Sequence, residues 1–185
     1  MHSLQGHLLV ASRDLVDPNF LRAAVLMVQH NDQGALGLIL NRPTTTTIRD
    51  AVRHVSDAKC VRGDDLLFLG GPCQGSLMAV HGHSLLKEIE VIPDVYFSAE
   101  TQNLERLMAL QDDGPVRFFV GFAGWDAGQL EAELKSGSWR TAVATEDHIF
   151  RSEKDLWEEL MRHLAGNDLL STLNIKHVPS DPSLN

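Results

Sequence analysis

Glycines gathered where apolar runs stop are the feature that most narrows the folds open to this chain. Gly34-Ala35-Leu36-Gly37, Gly70-Gly71-Pro72 and 121–128 (GFAGWDAG) each border a run of Val, Leu, Ile or Phe. Glycine supplies the left-handed turns and close backbone approaches that other residues resist. The arrangement therefore predicts short strands joined by Gly-rich loops.

The runs have strand length. Residues 6–12 (GHLLVAS), 23–29 (AAVLMVQ) and 35–40 (ALGLIL) are continuous rather than alternating, the pattern of strands covered on both faces. The turn-rich Asn31-Asp32-Gln33-Gly34 predicts that the last two pair as an antiparallel hairpin. Asn41-Arg42-Pro43 closes it, since proline has no N–H to give to a ladder. Further strands are expected at 66–69, 76–81, 88–92, 95–98, 116–122 and 140–144, with 123–128 as a loop.

Helices are expected in four places. Thr47-Ile48-Arg49-Asp50 has the spacing of a helix start, with Ile48, Ala51, Val52 and Val55 sharing one face. Residues 101–111 carry Leu104, Leu107 and Met108 at helical spacing. A third helix opens at Gln129, with Leu130 and Leu134 buried, Glu131 and Glu133 in solvent and Gly137 as its left-handed cap. The last follows Ser152-Glu153-Lys154-Asp155, with Trp157, Leu160 and Leu164 as its stripe and Gly166-Asn167 as its end. Hairpin-like strands with helices entering irregularly predict an α+β domain rather than a doubly wound sheet.

Size and charge bound the function. The 185 residues, 43% hydrophobic, can fill one core, so a single domain is expected over 1–177, followed by a flexible tail at 178–185. Sixteen Lys and Arg against 25 Asp and Glu leave a formal net charge of -9, a field that repels phosphate backbones. Direct nucleic-acid binding is disfavoured. No apolar run of about 18 residues could span a bilayer, and 1–12 has no Lys or Arg ahead of its apolar stretch, unlike a signal peptide. A cytoplasmic protein with no membrane partner is expected. Cys60 and Cys73 stand outside any C-x-x-C pair and are read as free thiols.

Known chemistries find little purchase. The chain holds no G-x-x-x-x-G-K-S/T, no G-x-G-x-x-G and no G-x-S-x-G, so no nucleotide cofactor and no serine-hydrolase elbow are expected. His81 and His83 would point the same way from an extended segment, but no cluster at metal-ligand spacing surrounds them, and they are read as a loop-entry histidine pair with no metal. His30, at a strand end, is read as a local hydrogen-bonding residue rather than a catalyst. Arg42, at the mouth of a turn, could grip a carboxylate or phosphate in a bidentate fashion, or pair with Asp50. Trp125 could wall a site or pack beneath its own loop.

Four ordered motifs carry a resemblance: Gly34-Ala35-Leu36-Gly37-Leu38 leading to Asn41-Arg42-Pro43; Gly70-Gly71-Pro72; Gly121-Phe122-Ala123-Gly124-Trp125; and Gly128-Gln129-Leu130-Glu131 followed by Gly137-Ser138-Trp139. With Leu8-Leu9-Val10-Ala11 and Asp17-Pro18-Asn19-Phe20, the chain resembles the AlgH/YqgE family of bacterial proteins up to about Gly166. Cys73 stands where relatives often carry Val. The resemblance implies an α+β fold whose branched, mostly antiparallel sheet curls into a pseudo-barrel flanked by helices. It brings no established catalytic residues, and some members carry a transcriptional-regulator label.

Three functions compete. The leading expectation is a non-enzymatic domain that binds a small molecule or a protein, with an indirect regulatory role and no catalytic residue, its site formed by Asn41, Arg42, Gly71, Pro72, Trp125 and Gln129. Loops carry binding residues more often than strands do. An enzyme on a small anionic substrate would use Arg42 as anchor and His81 or Asp126 as acid or base. A DNA-binding regulator is opposed by the acidic charge. Exposed sheet edges also make a homodimer plausible.

Overall fold

The computed structural model describes residues 2–53, 60–111, 114–150 and 155–172, of 167–172 the backbone alone. The chain opens with an antiparallel meander of β1 (His7–Ala11), β2 (Ala24–Asn31) and β3 (Gly34–Ile39), the last two forming the expected hairpin. Leu8 to Ala11 and Ala24 to Val28 are all completely buried, which is why these runs do not alternate. Burying each large aliphatic side chain contributes about 1.5–3 kcal/mol, and these two strands form the middle of the main core.

Pro43 does not end the sheet. Pro43–Thr47 forms β4, which pairs with β5 (Leu66–Leu69). Proline is tolerated as the first residue of an edge strand, and the β-branched threonines favour extended backbone. Helix α1 (Ile48–Val52) starts as expected: Thr47 Oγ1 accepts the Asp50 N–H at 3.2 Å and donates to the Asp50 carboxylate at 3.0 Å. The expected buried residue Val55 lies outside the described residues.

The middle of the chain supplies β6 (Cys73–His81), longer than expected, a 3-10 turn at Ser84–Leu86, β7 (Ile89–Ile92), β8 (Val95–Ser98) and α2 (Thr101–Ala109). Next comes β9 (Val116–Asp126), whose second half was expected to be loop. Ala123–Asp126 instead pairs with β3, Ala35 opposite Trp125. Then follow α3 (Gln129–Lys135), β10 (Trp139–Val143), an unanticipated α4 (Glu146–Phe150) and α5 (Leu156–Thr172). Helix α5 runs through Gly166-Asn167, because about 1 kcal/mol lost at an interior glycine does not by itself stop a helix. Its expected start, 152–154, and the expected tail, 178–185, lie outside the described residues.

The strand order is β10-β1-β2-β3-β9-β6-β8-β7, with β4 and β5 branching from β9. Only β5–β9 is parallel among the described pairs. The branch is made at the glycines. A Cβ on Gly71 would lie 2.2 Å from the Phe122 carbonyl carbon and one on Gly70 2.3 Å from the Gly121 oxygen, while Gly121 itself has φ +70°. Two backbones touch there with no room for side chains. The sheet curls until Gln5 Nε2 donates to the Glu90 carbonyl at 2.9 Å. No ladder joins β10 to β7 among the described residues, so the pseudo-barrel stays open.

A second, smaller core of Ile48, Leu67, Ala79, Leu86, Leu104, Leu107, Met108 and Phe118 lies under α1 and α2. Among the described residues no helix is long and apolar enough to cross a membrane.

Candidate functional site

The expected site residues fall into three groups. Asn41 and Arg42 hold the loop between β1 and β2. Asn41 Oδ1 accepts the Ala24 N–H at 3.0 Å and its Nδ2 donates to the Arg22 carbonyl at 2.8 Å. Arg42 donates through Nη2 to the Leu21 carbonyl and through Nη1 to the Asn41 carbonyl. It does not pair with Asp50, which is taken by Thr47. Burial pushes the Arg42 guanidinium down from its ordinary value.

Gly71 is buried in the backbone crossing and Pro72 is exposed beside it. The Gly70 carbonyl accepts from Ile39 N–H and the Arg42 carbonyl from Leu69 N–H, so this group adjoins the first.

Trp125 and Gln129 belong to a third group built around Glu133. Its Oε2 accepts both indole N–H groups, Trp125 at 2.9 Å and Trp139 at 2.8 Å, and its Oε1 accepts Gln129 Nε2 at 2.8 Å. Gln129 Oε1 in turn takes the Asp126 N–H at 3.0 Å. Both indoles are more than nine-tenths buried, so the carboxylate satisfies donors that would otherwise be orphaned. Helix α3 ends on a left-handed Gly137, with Gly137 N–H on the Leu134 carbonyl and Ser138 N–H on that of Glu133. This cap turns Trp139 back toward Glu133. Glu131, expected in solvent with Glu133, is also half-buried: His30 Nδ1 accepts the Leu4 N–H at 3.0 Å, so Nε2 carries the proton and donates to Glu131 at 3.0 Å.

Phe20 links the first and third groups. Its ring stacks on Trp125, centroids 6.1 Å apart, and stands edge-on to Trp139 at 5.3 Å. The loop that carries it is folded by Asp17, which accepts N–H groups from Asn19, Phe20 and Leu21. Of the six residues, Asn41 and Arg42 hold this loop from one side and Trp125 meets its Phe20 from the other; Gly71, Pro72 and Gln129 stand behind them.

That loop faces α5 across a groove of about 610 Å³. Arg13 and Arg22 come from the loop; Trp157, Glu158, Met161 and Arg162 come from α5 at helical spacing. Trp157 anchors α5 by donating Nε1–H to the Ala11 carbonyl at 2.8 Å. Arg22, in left-handed backbone at φ +54°, lies 5.3 Å over the Trp157 ring and 3.7 Å from the Glu158 carboxylate. Both partners of that ion pair are exposed, which makes it a weak one. Three guanidinium groups against one carboxylate thus meet at one surface of a chain with net charge -9. Nothing in residue order marks these arginines, since Arg13, Arg22 and Arg162 form no cluster along the chain.

Of the two acid or base candidates, Asp126 ends β9 beside Gln129 and His81 ends β6. His81 is completely buried. Its Nδ1 accepts the His83 N–H at 3.2 Å and its Nε2 donates to Ser98 Oγ at 3.0 Å, while Ser98 donates onward to the Leu86 carbonyl. Burial, aided by His83 and opposed by Glu88, holds the imidazole at about 4. The His81 and His83 rings stack 6.0 Å apart. Cys60 and Cys73 are free thiols, and burial pushes that of Cys60 up.

Residues 8–168 match the AlgH-like family. A UPF0301 protein of Chlorobium luteolum is 36% identical over 186 residues, covering 97% of this chain and 94% of its own. One from Chlorobaculum tepidum is 37% identical over 167 residues, 87% of each chain. The solution structure of the AlgH protein from Pseudomonas aeruginosa superposes with a TM-score of 0.75 at 28% identity over 96% of both chains. A crystal structure from Corynebacterium diphtheriae, at 22% identity over 85% of both chains and a TM-score of 0.68, shares the fold. These names state no activity, ligand or partner.

Proposed function

The chain belongs to the AlgH-like family, and on that premise we propose that it is a non-catalytic binding domain whose groove between the Ser12–Ala23 loop and α5 takes a small anionic molecule. The convergence of Arg13, Arg22 and Arg162 beside Trp157 carries this reading. Guanidinium groups match carboxylate and phosphate geometry, and an indole offers a flat apolar wall beside them. Asn41, Arg42, Trp125 and Gln129 act as positioning residues that keep the loop in place, and Gly71 with Pro72 lets the strands cross behind it. Two free thiols fit a cytoplasmic setting. Any regulatory role would be indirect, through the bound molecule, because the net charge opposes a DNA duplex.

The chain has three tryptophans. Trp125 and Trp139 are bonded to Glu133, and Trp157 lines the groove. Titration with citrate or pyrophosphate, followed by tryptophan fluorescence, should give a saturable change that weakens with salt and is lost in Arg22→Ala and Arg162→Ala. A change that persists in both variants, or no change with either anion, would sink the reading.

A further inference from the structure

The groove beside α5 is larger than a small polyanion needs. Its volume of about 610 Å³ is that of a site for a drug-sized ligand, and its walls are not uniform. Trp157, Met161 and Ala165 follow one another at i, i+4 and i+8, so they form an apolar strip about 12 Å long on one side of α5. Trp157 and Met161 are buried beneath the groove, and Ala165 is exposed at its end. Leu21, from the loop that makes the opposite wall, is 49% exposed. Guanidinium groups flank this strip. Arg22 is already engaged by Trp157 and Glu158. Arg13 and Arg162 are exposed and have no carboxylate partner among the described residues.

Resting on the anion-binding reading of this groove, we propose that its ligand is an amphiphilic acid, with a carboxylate or phosphate head between Arg13 and Arg162 and an alkyl chain along Leu21, Met161 and Ala165. The charge selects the head. Among the described lining residues, three guanidinium groups stand against the one carboxylate of Glu158, so an acid is attracted and an ammonium head meets like charge. The strip selects the chain. Apolar surface beside fixed charges gains when an alkyl chain covers it, and each methylene fully removed from water strengthens binding by about fourfold. Citrate and pyrophosphate carry no such chain. They fill the head position and leave the strip wet.

Met161 lines the groove and Met108 lies in the smaller core under α2, so methyl spectra of methionine-labelled protein carry a reporter and a reference. Octanoate is expected to shift the Met161 methyl saturably and leave Met108 in place, with affinity at least about fivefold above that of hexanoate. Octyl phosphate should exceed inorganic phosphate in the same way, and octylamine should bind at least about tenfold more weakly than octanoate. Leu21→Ser, at an exposed position, should weaken octanoate about fivefold and leave citrate unchanged, whereas Arg162→Ala should weaken both. With citrate bound, the proposal is overturned and the anion site stands if affinity does not rise with chain length in either series, if octylamine binds as well as octanoate, or if Leu21→Ser weakens citrate as much as octanoate. If citrate, pyrophosphate and octanoate all leave Met161 in place, both readings fall.

Discussion

The groove beside α5 and the apolar region under α1 and α2 differ in where their polar groups are spent. Around the groove, the polar atoms of Asn41, Arg42, Gln129 and Glu133 are consumed in holding a loop, and what the loop presents is charge: exposed guanidinium groups beside an indole. Under α1 and α2, the helix N-terminus is consumed by Glu88, and the described side chains packed there are largely apolar. A backbone N–H or buried indole must be satisfied before anything else; only the groups left over are available to a ligand.

The largest test of this contrast is Glu133→Ala, which leaves two buried indole N–H groups without an acceptor. Chemical denaturation should show a loss of about 3 kcal/mol, and citrate binding should fall because Phe20 loses its two-ring seat. Citrate binding that survives the substitution would break the link between that seat and the groove. The second test is pH. His81 is held at about 4 in the folded protein against an ordinary 6.5, so the unfolded chain binds the extra proton. Stability should fall as pH drops from about 6.5 to about 4, by on the order of 3 kcal/mol in full. His81→Gln should flatten that slope. Partial burial works against ionisation of Glu88, but its hydrogen bonds from Asn103, Ala99 and Glu100 outweigh it and keep the carboxyl below its usual range. Its contribution is therefore lost only at still lower pH. His81 ends β6 and bonds to Ser98 of β8, and Glu88 holds the residues that follow β8, so hydrogen exchange in mild acid should loosen β6 and β8 before β1 and β2.

Smaller effects sharpen the groove alone. Asn41→Ala removes the bonds to Ala24 and Arg22 and should cost about 2 kcal/mol, with citrate affinity reduced and Met108 unaffected. Arg22→Gly relieves a left-handed arginine and should raise stability by about 0.5 kcal/mol while weakening citrate binding. If stability and anion affinity instead fall together, Arg22 holds the loop rather than serving the ligand.

Much of the architecture was legible in residue order. Unbroken apolar runs marked the strands buried on both faces, Thr47 and Asp50 marked a helix start, and Gly137 marked a helix end, because each depends on neighbours a few positions away. β4 was missed because Pro43 reads as a terminator unless the strand is known to lie at an edge. The end of β9 was missed because its pairing with β3 joins residues some ninety positions apart. The same holds for the candidate site: Asn41, Arg42, Trp125 and Gln129 could be singled out, but their partners Arg22, Leu21 and Glu133 could not be assigned to them.

By itself, the sequence determined the α+β class, the family and the positions where backbones cross, since these rest on local conformational preference and on side-chain volume that glycine alone lacks. The tertiary structure decided what the marked residues do. It turned the Gly-rich motifs into a branched crossing and a framed loop, and it gathered three distant arginines on one surface. Charge convergence depends on through-space distance, and that distance is set only when the sheet curls and α5 and α2 pack against it.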